Sequence, residues 1–398
     1  TAPGASSPIR FVAGSWRVEE RRPAVVLRGL AARLGGPEVY LAWPDVHAPR
    51  QIVPAGRPEV AAWVRDTFEP LARRRLDAAT WSTLRSRSLV IARGPGTALT
   101  AAENALGRSL DGAALGCMSD SGHVLAKLLC FVFERGEREP SVVAKAIPKE
   151  TEGERLLEEV RVTASIRDRL SSDVAAALPE NPFWTGRVGA DDFVVELPDP
   201  LAGATGREDR GLALGWLRRF HEETAHERWG TEADLTEADE MLDFAAEQAG
   251  IADRAALRAS WRALWSESAG DQLPRCAVHG DFWRGNIAVD GTRLRVYDWE
   301  WTAPSGHPLL DLWSYELGEL RGRAGSPGGI EPELRAALRR VEAELEERGL
   351  DHRLALALLL PVTAEVGYRV RRRRGTPPDH EDRPRALLRA AAALVGGR

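Results

Sequence analysis

The stretch that decides the fold is residues 276–287, "CAVHGDFWRGNI", in which a polar turn with two glycines separates two short apolar runs. Within it, His279, Asp281 and Asn286 follow the pattern H-x-D-x-x-x-x-N. Apolar runs bounded by turn residues indicate β-strands, so these polar side chains are expected at the end of a small sheet. An ordinary hairpin would also explain the turn residues, and residues elsewhere in the sequence must distinguish the two interpretations.

The first such residue is Asp298, which ends the apolar run "LRVYD" twelve residues after Asn286. Phosphoryl transfer needs a carboxylate that accepts or orients the proton of the attacking hydroxyl. It also needs hard oxygen ligands that hold Mg²⁺ on the nucleotide phosphates. The spacing therefore predicts a phosphoryl-transfer site in which one of the carboxylates of Asp281 and Asp298 acts on the hydroxyl, while the other carboxylate and the Asn286 amide oxygen hold Mg²⁺.

A lysine lies inside the apolar run "VVAKAIPK" at residues 142–149. Of the 54 basic residues only three are lysines, and all three lie between residues 127 and 149. Lys145 in an apolar strand requires anionic partners, for which nucleotide phosphates and a helix glutamate are candidates. An edge-strand lysine that reaches water is the alternative. On the next predicted helix the candidate glutamates are Glu159, which is favoured, then Glu158, and Glu154.

A turn joins two predicted strands ahead of Lys145, in the sequence "MSDSGH" at residues 118–123. Its small residues, Ser119, Ser121 and Gly122, would let backbone N–H groups approach phosphate oxygens. A plain hairpin turn explains the same residues, so both interpretations stay open.

These segments resemble the aminoglycoside phosphotransferase and choline kinase-like superfamily, which is related to the protein kinases. The resemblance covers residues 112–330 and is carried by "VVAKAI", "FVVELPDP", "GLALGWLRRFHEE", "AVHGDFWRGNI" and "VYDWEWTAPSGHPLLDLW". It implies an α+β, two-lobed protein kinase-like fold, with a strand-rich N-lobe and a helix-rich C-lobe. It also implies Mg²⁺ and ATP, or GTP, as the phosphate donor.

Further roles follow from the resemblance alone. Asp281 would be the catalytic carboxylate, and Asn286 and Asp298 would bind Mg²⁺. Lys145 would grip the nucleotide, while His279 and Asp311 would brace the catalytic loop. In the connector "FVVELPDP" the Val195 carbonyl and the Leu197 amide would bind adenine, because the proline that follows has no N–H to donate.

Two positions depart from the serine/threonine protein kinase pattern. Trp283 stands where such kinases usually have lysine, and Glu300 stands where they usually have glycine. The departures favour a small-molecule acceptor over a protein acceptor. Trp283 and Trp299 flank the predicted catalytic residues. Core packing is the favoured interpretation of both tryptophans, and stacking on a sugar face, with Glu300 beside them, is the alternative.

The predicted organisation has three parts. Residues 1–110 form an N-terminal extension, similar to those of some actinobacterial members, that would cap the strand-rich lobe. Residues 111–198 form the N-lobe and hinge, and residues 199–398 form the helical C-lobe with the catalytic loop. Within the extension, "EVYLAWP" and "RQIVPAG" predict a pair of strands.

Composition narrows the class of protein. A net charge of -5 over 398 residues argues against a nucleic-acid or membrane partner, and no apolar run reaches membrane-spanning length. Three cysteines without CxxC spacing indicate neither a disulfide framework nor a zinc site, which fits the cytoplasm. The expected acceptor is an amino sugar, an aminoglycoside-like compound, another sugar or a nucleoside. A nucleotide-binding pseudokinase with a scaffold role is the alternative, and the oligomeric state stays open.

Two charged segments allow further predictions. Residues 201–300 carry 19 Asp and Glu against 12 Arg, and much of this acidity lies in residues 221–248. An acidic wall there would favour a cationic acceptor, although a solvated helix face is the alternative. The basic run "RVRRRRG" at residues 369–375 is interpreted as a solvated helix face, with contact to phosphate or lipid as the alternative.

The placement of the lysines leads to a first prediction. Lys145→Arg is expected to reduce phosphotransfer nearly as much as Lys145→Ala, because a planar guanidinium on a longer stem cannot replace a compact ammonium between phosphate and glutamate. Steady-state kinetics of both variants measure the effect. A fully active arginine variant would refute the interpretation of the three lysines.

Overall fold

The structure is a computed structural model that describes residues 36–43, 51–54, 56–68, 89–94, 96–119, 128–189, 191–199, 209–268, 273–320, 330–374 and 382–396. The chain divides into two compact units. The first comprises residues 1–161 and 180–204, and the second comprises residues 162–179 and 205–398.

The first unit is built on an antiparallel sheet. Its strands are β1 (Gly36–Trp43), β2 (Gln51–Pro54), β3 (Leu89–Gly94), β4 (Ala114–Ser119), β5 (Leu128–Phe133), β6 (Val142–Pro148), β7 (Trp184–Val188) and β8 (Asp191–Glu196). They pair in the order β3-β1-β2-β4-β5-β6-β8-β7. The helices that begin in this unit are α1 (Pro58–Phe68), α2 (Thr97–Leu106) and α3 (Lys149–Arg167), whose last residues enter the second unit.

The continuous apolar sequence of β5 follows from burial of both faces of the sheet. Side chains alternate across a strand, so Leu128, Cys130 and Val132 lie on one face. There they join the buried alanines of α2 in one cluster, whereas Phe131 and Phe133 on the other face pack with Val60 of α1. A strand that is covered on both faces carries no polar alternation.

The strand pair predicted in the N-terminal extension is confirmed. β1 and β2 are antiparallel, with Leu41 opposite Val53. β2 also pairs with β4, where Ile52 lies opposite Cys117, so the sheet continues across the predicted boundary at residue 110. The pairing covers an edge of β4 that would otherwise present unpaired backbone groups. The two strands predicted on either side of "MSDSGH" are confirmed as β4 and β5, and the strand predicted at "VVAKAIPK" is confirmed as β6.

The second unit is mostly helical. Its helices are α4 (Ser172–Ala175), α5 (Arg210–Thr224), α6 (Glu232–Ala249), α7 (Arg254–Glu267), α8 (Pro308–Leu320), α9 (Glu331–Glu347), α10 (Arg353–Ala357), α11 (Leu359–Arg374) and α12 (Asp382–Gly396). Its strands are β9 (Glu227–Arg228), β10 (Pro274–Val278), β11 (Ile287–Asp290), β12 (Arg293–Val296) and β13 (Ala303–Gly306). β10 lies between β13 and β9, and β11 pairs with β12.

Side-chain caps fix where α6 begins. Thr231 and Asp234 form a capping box, in which each side chain accepts a hydrogen bond from the other residue's backbone N–H. Asp234 also accepts from Arg275 of β10, with Oδ1 at 2.6 Å from Nη2. The first turn of α6 is therefore attached to the strand that leads into the H-x-D segment.

Aromatic residues fill the core of the second unit. Phe220 of α5, Phe282 of the H-x-D segment and Trp313 of α8 are fully buried in one cluster with leucines from α8 to α12. The H-x-D segment is thus held by the hydrophobic core on one side. In the described residues, no helix is long and apolar enough to cross a membrane.

Candidate active site

The turn after β10 brings Asp281 and Asn286 together. Asn286 Nδ2 donates to Asp281 Oδ2 at 3.0 Å and to the Asp281 carbonyl at 3.0 Å. These two bonds orient the amide group of Asn286, so its Oδ1 is turned away from the carboxylate and stays an oxygen acceptor. The short 3-10 helix Arg284–Asn286 makes the approach possible within five residues.

His279 ties the same turn to the next hairpin. Its Nδ1 accepts from the Asp281 backbone N–H at 3.2 Å, and its Nε2 lies 2.8 Å from the Tyr297 carbonyl. Because Nδ1 accepts, the ring proton is on Nε2 and is donated to Tyr297. The side chain is fully buried. His279 therefore fixes the backbone on either side of the predicted catalytic and metal-binding residues.

Asp311 holds the turn from α8. Its carboxylate is fully buried and accepts the backbone N–H groups of His279 at 2.8 Å and Gly280 at 2.7 Å. Gly280 has a φ of 79°, and a side chain there would collide with the Trp301 carbonyl, so only glycine fits. Backbone donors of the turn thus stabilise the charge of Asp311. These hydrogen bonds explain how a residue thirty positions away in sequence shapes the turn.

A chain of side chains balances the charge of Asp311. His221 Nε2 lies 3.2 Å from Asp311 Oδ2, and Arg348 Nη1 lies 3.2 Å from His221 Nδ1. Burial lowers the pKa of His221, so the ring is neutral and donates from Nε2. Burial alone would raise the pKa of Asp311, but the hydrogen bond from His221 and the interactions with His279 hold it below its usual range. The sequence did not predict His221 and Arg348 as parts of the site, because the contacts that place them there join residues 90 and 127 positions apart.

The two predicted magnesium ligands lie at one end of a hairpin. β11 and β12 pair with Ile287 opposite Val296, and Asn286 and Asp298 flank that end of the pair. Asp298 has φ 62° and ψ 61°, and among the described residues it is the single non-glycine with a positive φ. A strained backbone at such a residue is typical of functional sites.

The donor set fits Mg²⁺. One amide oxygen and one carboxylate suit a small hard cation that keeps water and phosphate oxygens as its other ligands. The described residues contain no cluster of three or more His, Cys, Asp or Glu that could hold a metal by itself. The protein part of the site is therefore consistent with a cation that arrives with a nucleotide.

An arginine from the basic run lies on Asp281, which corrects the interpretation of residues 369–375. Arg369 Nη2 lies 2.7 Å from Asp281 Oδ1, its Nη1 donates to the Gly280 carbonyl, and only 6% of its side chain is exposed. Its guanidinium stacks on the Trp301 ring, 4.5 Å from the centroid. The prediction of a solvated face fails at this residue because helical periodicity turns one arginine of the run inward.

Trp299 packs in the core, as its favoured interpretation predicts, and is not exposed for stacking on a substrate. Its side chain is 1% exposed, its Nε1 donates to the Val296 carbonyl at 2.8 Å, and its ring packs on His279. Trp283 is half-buried and packs closely on Gly285 and Gly318. Glu300 lies in the 3-10 helix Trp299–Trp301, and substrate contact by Trp283 or Glu300 stays a prediction.

In the first unit, Lys145 has a partner that differs from the predicted one. Its Nζ lies 2.8 Å from Glu196 Oε1, and both side chains are mostly buried. Glu196 ends β8, and strand pairing places it next to Lys145 because Val194 lies opposite Lys145 in β6. The predicted partner was a glutamate on α3, where Glu158 pairs with Arg161. The role of Glu159 stays a prediction.

The remaining predicted nucleotide contacts are placed only in part. Ser119 ends β4, opposite Leu128, whereas Ser121 and Gly122 lie outside the described residues. Val195 lies inside the sheet, opposite Ala144 of β6 on one side and Trp184 of β7 on the other. Its backbone N–H and carbonyl are therefore hydrogen-bonded to one of the two neighbouring strands. Leu197 follows the strand and is 62% exposed, which makes it the better candidate of the two for a contact with adenine.

The acidic segment 221–248 is largely neutralised within the second unit. Arginines pair with eight of its ten carboxylates: Glu223 with Arg219, Glu227 and Asp234 with Arg275, Glu232 and Asp239 with Arg262, Glu240 with Arg372, Asp243 with Arg258, and Glu247 with Arg254. In the folded protein this segment therefore does not form an acidic wall, that is, a surface of net negative charge. Its charges mostly connect α6 to α7, α11 and β10.

Comparison with known proteins gives one family. A model described as the phosphotransferase enzyme family matches residues 133–347. No curated protein matches the chain significantly. The matched segment contains Lys145, the H-x-D-x-x-x-x-N pattern, Asp298 and Asp311.

Solved structures with a similar chain include two kinases and one aminoglycoside phosphotransferase. A thermostable variant of aminoglycoside phosphotransferase APH(4)-Ia, in a ternary complex with AMP-PNP and hygromycin B, is 14% identical, with 76% of this chain and 98% of that chain covered and a TM-score of 0.47. Choline kinase LicA from Streptococcus pneumoniae is 14% identical, with coverages of 71% and 94% and a TM-score of 0.45. A glucosamine kinase is 15% identical, with coverages of 72% and 91% and a TM-score of 0.38.

Asp311→Asn is expected to lower the free energy of unfolding at pH 7 by about 2–4 kcal/mol, because the buried network loses its charged acceptor. The folded pKa of Asp311 is depressed, so its contribution is present above the unfolded pKa of about 3.9 and is lost as pH falls through the folded pKa. Urea unfolding at pH 7, 5 and 3.5 measures the gap between parent and variant. Asp243→Asn, which removes a half-exposed carboxylate, serves as the control, and equal losses for both variants would contradict the prediction.

Proposed function

The chain belongs to the phosphotransferase enzyme family, whose model matches more than half of it, and is a small-molecule phosphotransferase; we propose that it transfers the γ-phosphoryl group of ATP or GTP to a hydroxyl of that small molecule. The observation that carries the proposal is the hydrogen-bonded pair of Asp281 and Asn286, with Asp298 at the same end of the β11–β12 hairpin. The set provides one carboxylate for the acceptor and two oxygen ligands for a metal.

Asp281 is proposed to accept a hydrogen bond from the hydroxyl group of the acceptor molecule. Asn286 holds one carboxylate oxygen and Arg369 holds the other, so the carboxylate has one orientation. A carboxylate oxygen can accept more than one hydrogen bond, so it can also accept the hydrogen of the attacking hydroxyl. A fixed carboxylate aligns the hydroxyl oxygen for attack, which is the main contribution a protein makes to phosphoryl transfer.

Asn286 and Asp298 are proposed to hold Mg²⁺, which when bound offsets negative charge on the phosphate oxygens. The Asn286 amide is already turned with its nitrogen toward Asp281, so its oxygen needs no rearrangement to act as a ligand. Asp298 is held between β12 and the 3-10 helix that follows. The chain's own contribution is to present both oxygens in a fixed geometry.

The first unit is proposed to bind the nucleotide. The Lys145 ammonium is kept in place by Glu196 and would bind phosphate oxygens with its remaining hydrogens. Leu197 would contribute its backbone N–H to adenine, and the Val195 carbonyl, already paired in the sheet, is the weaker candidate of the two. Glu159 stays a candidate partner of Lys145, and Ser119, Ser121 and Gly122 stay candidates for contact with the phosphates. The donor nucleotide is proposed to be ATP, with GTP as the alternative.

Two carboxylates favour an amine-bearing acceptor such as an amino sugar. Glu365 of α11 lies one helical turn before Arg369, which contacts Asp281. Burial raises the pKa of Glu365, Arg369 and Arg372 oppose this rise, and the nearby carboxylate of Glu237 adds to it. Glu365 is half-buried and Glu237 is exposed, and a partly buried carboxylate beside another carboxylate gains free energy when an ammonium group binds to it. A cationic acceptor is therefore favoured by Glu365 and Glu237, and no longer by the total charge of α6.

Asp281→Asn is expected to abolish transfer to any acceptor and to leave nucleotide binding nearly unchanged. The acceptor hydroxyl loses the carboxylate that orients it, whereas no predicted ligand of the phosphates is removed. Phosphate transfer from Mg²⁺·ATP to a panel of glucosamine, kanamycin, choline, glucose and adenosine measures the first effect. Thermal shift with Mg²⁺·ATP measures the second. A variant with the parent's kcat would place the chemistry elsewhere.

Glu365→Gln is expected to raise the KM for glucosamine by about 10-fold or more, since a charged hydrogen bond contributes about 1.5–3 kcal/mol. The KM for N-acetylglucosamine, which has no charge, should stay the same. Glu240→Gln is the matched control, because it removes the same charge from an exposed pair with Arg372. If glucosamine and its N-acetyl form respond equally, the acceptor is neutral, and the phosphotransfer proposal itself is unaffected.

A further inference from the structure

The position two residues after Asp281 carries no cation in this chain. Serine/threonine protein kinases usually have a lysine there, and this sequence has Trp283. The Trp283 side chain packs so closely on Gly285 and Gly318 that any larger residue at either position would collide with it. The space on that side of the turn is therefore filled by an indole that is anchored to α8.

A cation reaches Asp281 from a distant part of the sequence. Arg369 lies 88 residues after Asp281, in α11, and its Nη2 is 2.7 Å from Asp281 Oδ1. A second nitrogen of the same guanidinium donates to the carbonyl of Gly280. The two bonds contact adjacent residues of the turn, so one planar group fixes both the backbone and the carboxylate.

The position of Arg369 is determined by its surroundings. The face of the guanidinium lies over Trp301, and 6% of the side chain is exposed. The residue before it, Tyr368, is 4% exposed, and Val362 and Thr363 in the preceding turns of α11 are buried as well. Because both the helix and the ring are fixed, the arginine has little freedom to leave the carboxylate.

We propose that Arg369 is a positioning residue for phosphotransfer, which supplies from α11 the positive charge beside the catalytic carboxylate that protein kinases take from a lysine in the catalytic loop. The inference rests on the proposed function of Asp281. Arg369 holds Asp281 Oδ1 while Asn286 holds Oδ2, so the carboxylate cannot rotate when the acceptor binds. Its charge also offsets part of the negative charge that gathers at the site when a nucleotide binds.

The arrangement requires arginine and excludes lysine. A guanidinium donates in two parallel directions and stacks on an aromatic face, and here it does both. An ammonium would bind either the Gly280 carbonyl or the Asp281 carboxylate, and it would lose the flat contact with Trp301. The substitution Arg369→Lys would keep the charge but not the geometry, so the two contributions are separable by mutation.

The experiment uses the full chain with Mg²⁺·ATP and two acceptors, glucosamine and water. Transfer to water can be measured without knowing the natural acceptor. Arg369→Ala and Arg369→Lys are compared with Arg372→Ala, which removes a cation from the same helix at an exposed pair with Glu240. For Arg369→Ala we expect kcat to fall by about 100-fold with the KM for ATP nearly unchanged. Arg369→Lys should lose about 10-fold, and Arg372→Ala should match the parent. Added guanidinium ion should restore part of the rate of Arg369→Ala alone, which a merely structural role would not allow.

The outcomes separate this inference from the function on which it depends. If Arg369→Ala keeps the kcat of Arg372→Ala while Asp281→Asn is inactive, the role of Arg369 is refuted and the function stands. If Asp281→Asn is as active as the parent, the function itself fails. If Arg369→Ala does not fold, Arg369→Lys decides: a lower kcat at an unchanged melting temperature supports the proposal, and an unchanged kcat overturns it.

Discussion

The buried carboxylate of Asp311 is the interaction on which the rest of the second unit depends. A charge without water must be met by donors, and Asp311 meets three of them: the N–H groups of His279 and Gly280 and the Nε2 of His221. Two of these donors belong to the turn that carries Asp281. The need to satisfy one charge therefore sets the backbone of the candidate active site, and α8 delivers that charge from a fully buried position.

The same charge joins helices that lie far apart in sequence. Arg348, at the end of α9, reaches Asp311 through the neutral ring of His221 in α5, and it also pairs with Glu344 at 2.9 Å. Burial keeps His221 neutral, so the ring passes on a hydrogen bond without adding a charge of its own. The network spreads one negative charge over several donors, which costs less than a single isolated buried pair.

Arginine performs two different tasks in this unit. On α7, α11 and β10 it neutralises the carboxylates of α6 in partly exposed pairs, which contribute little to stability individually. On Asp281 a single arginine is buried, stacked and doubly bonded, and there its geometry matters more than its charge. Because almost every positive charge in the sequence is an arginine, no local sequence pattern distinguishes the arginine on Asp281 from those that pair with α6.

The sequence by itself determined the strands β4, β5 and β6, the pairing of β1 with β2, and the polar turn with Asp281 and Asn286, because these depend on periodicity and spacing within short segments. Only the tertiary structure decided that Glu196 pairs with Lys145, that Trp299 is core, and that Arg369 lies on Asp281. Strand register and helix packing bring such residues together across 51 to 88 positions. No local pattern encodes these contacts, since each is the outcome of burying many apolar side chains at once.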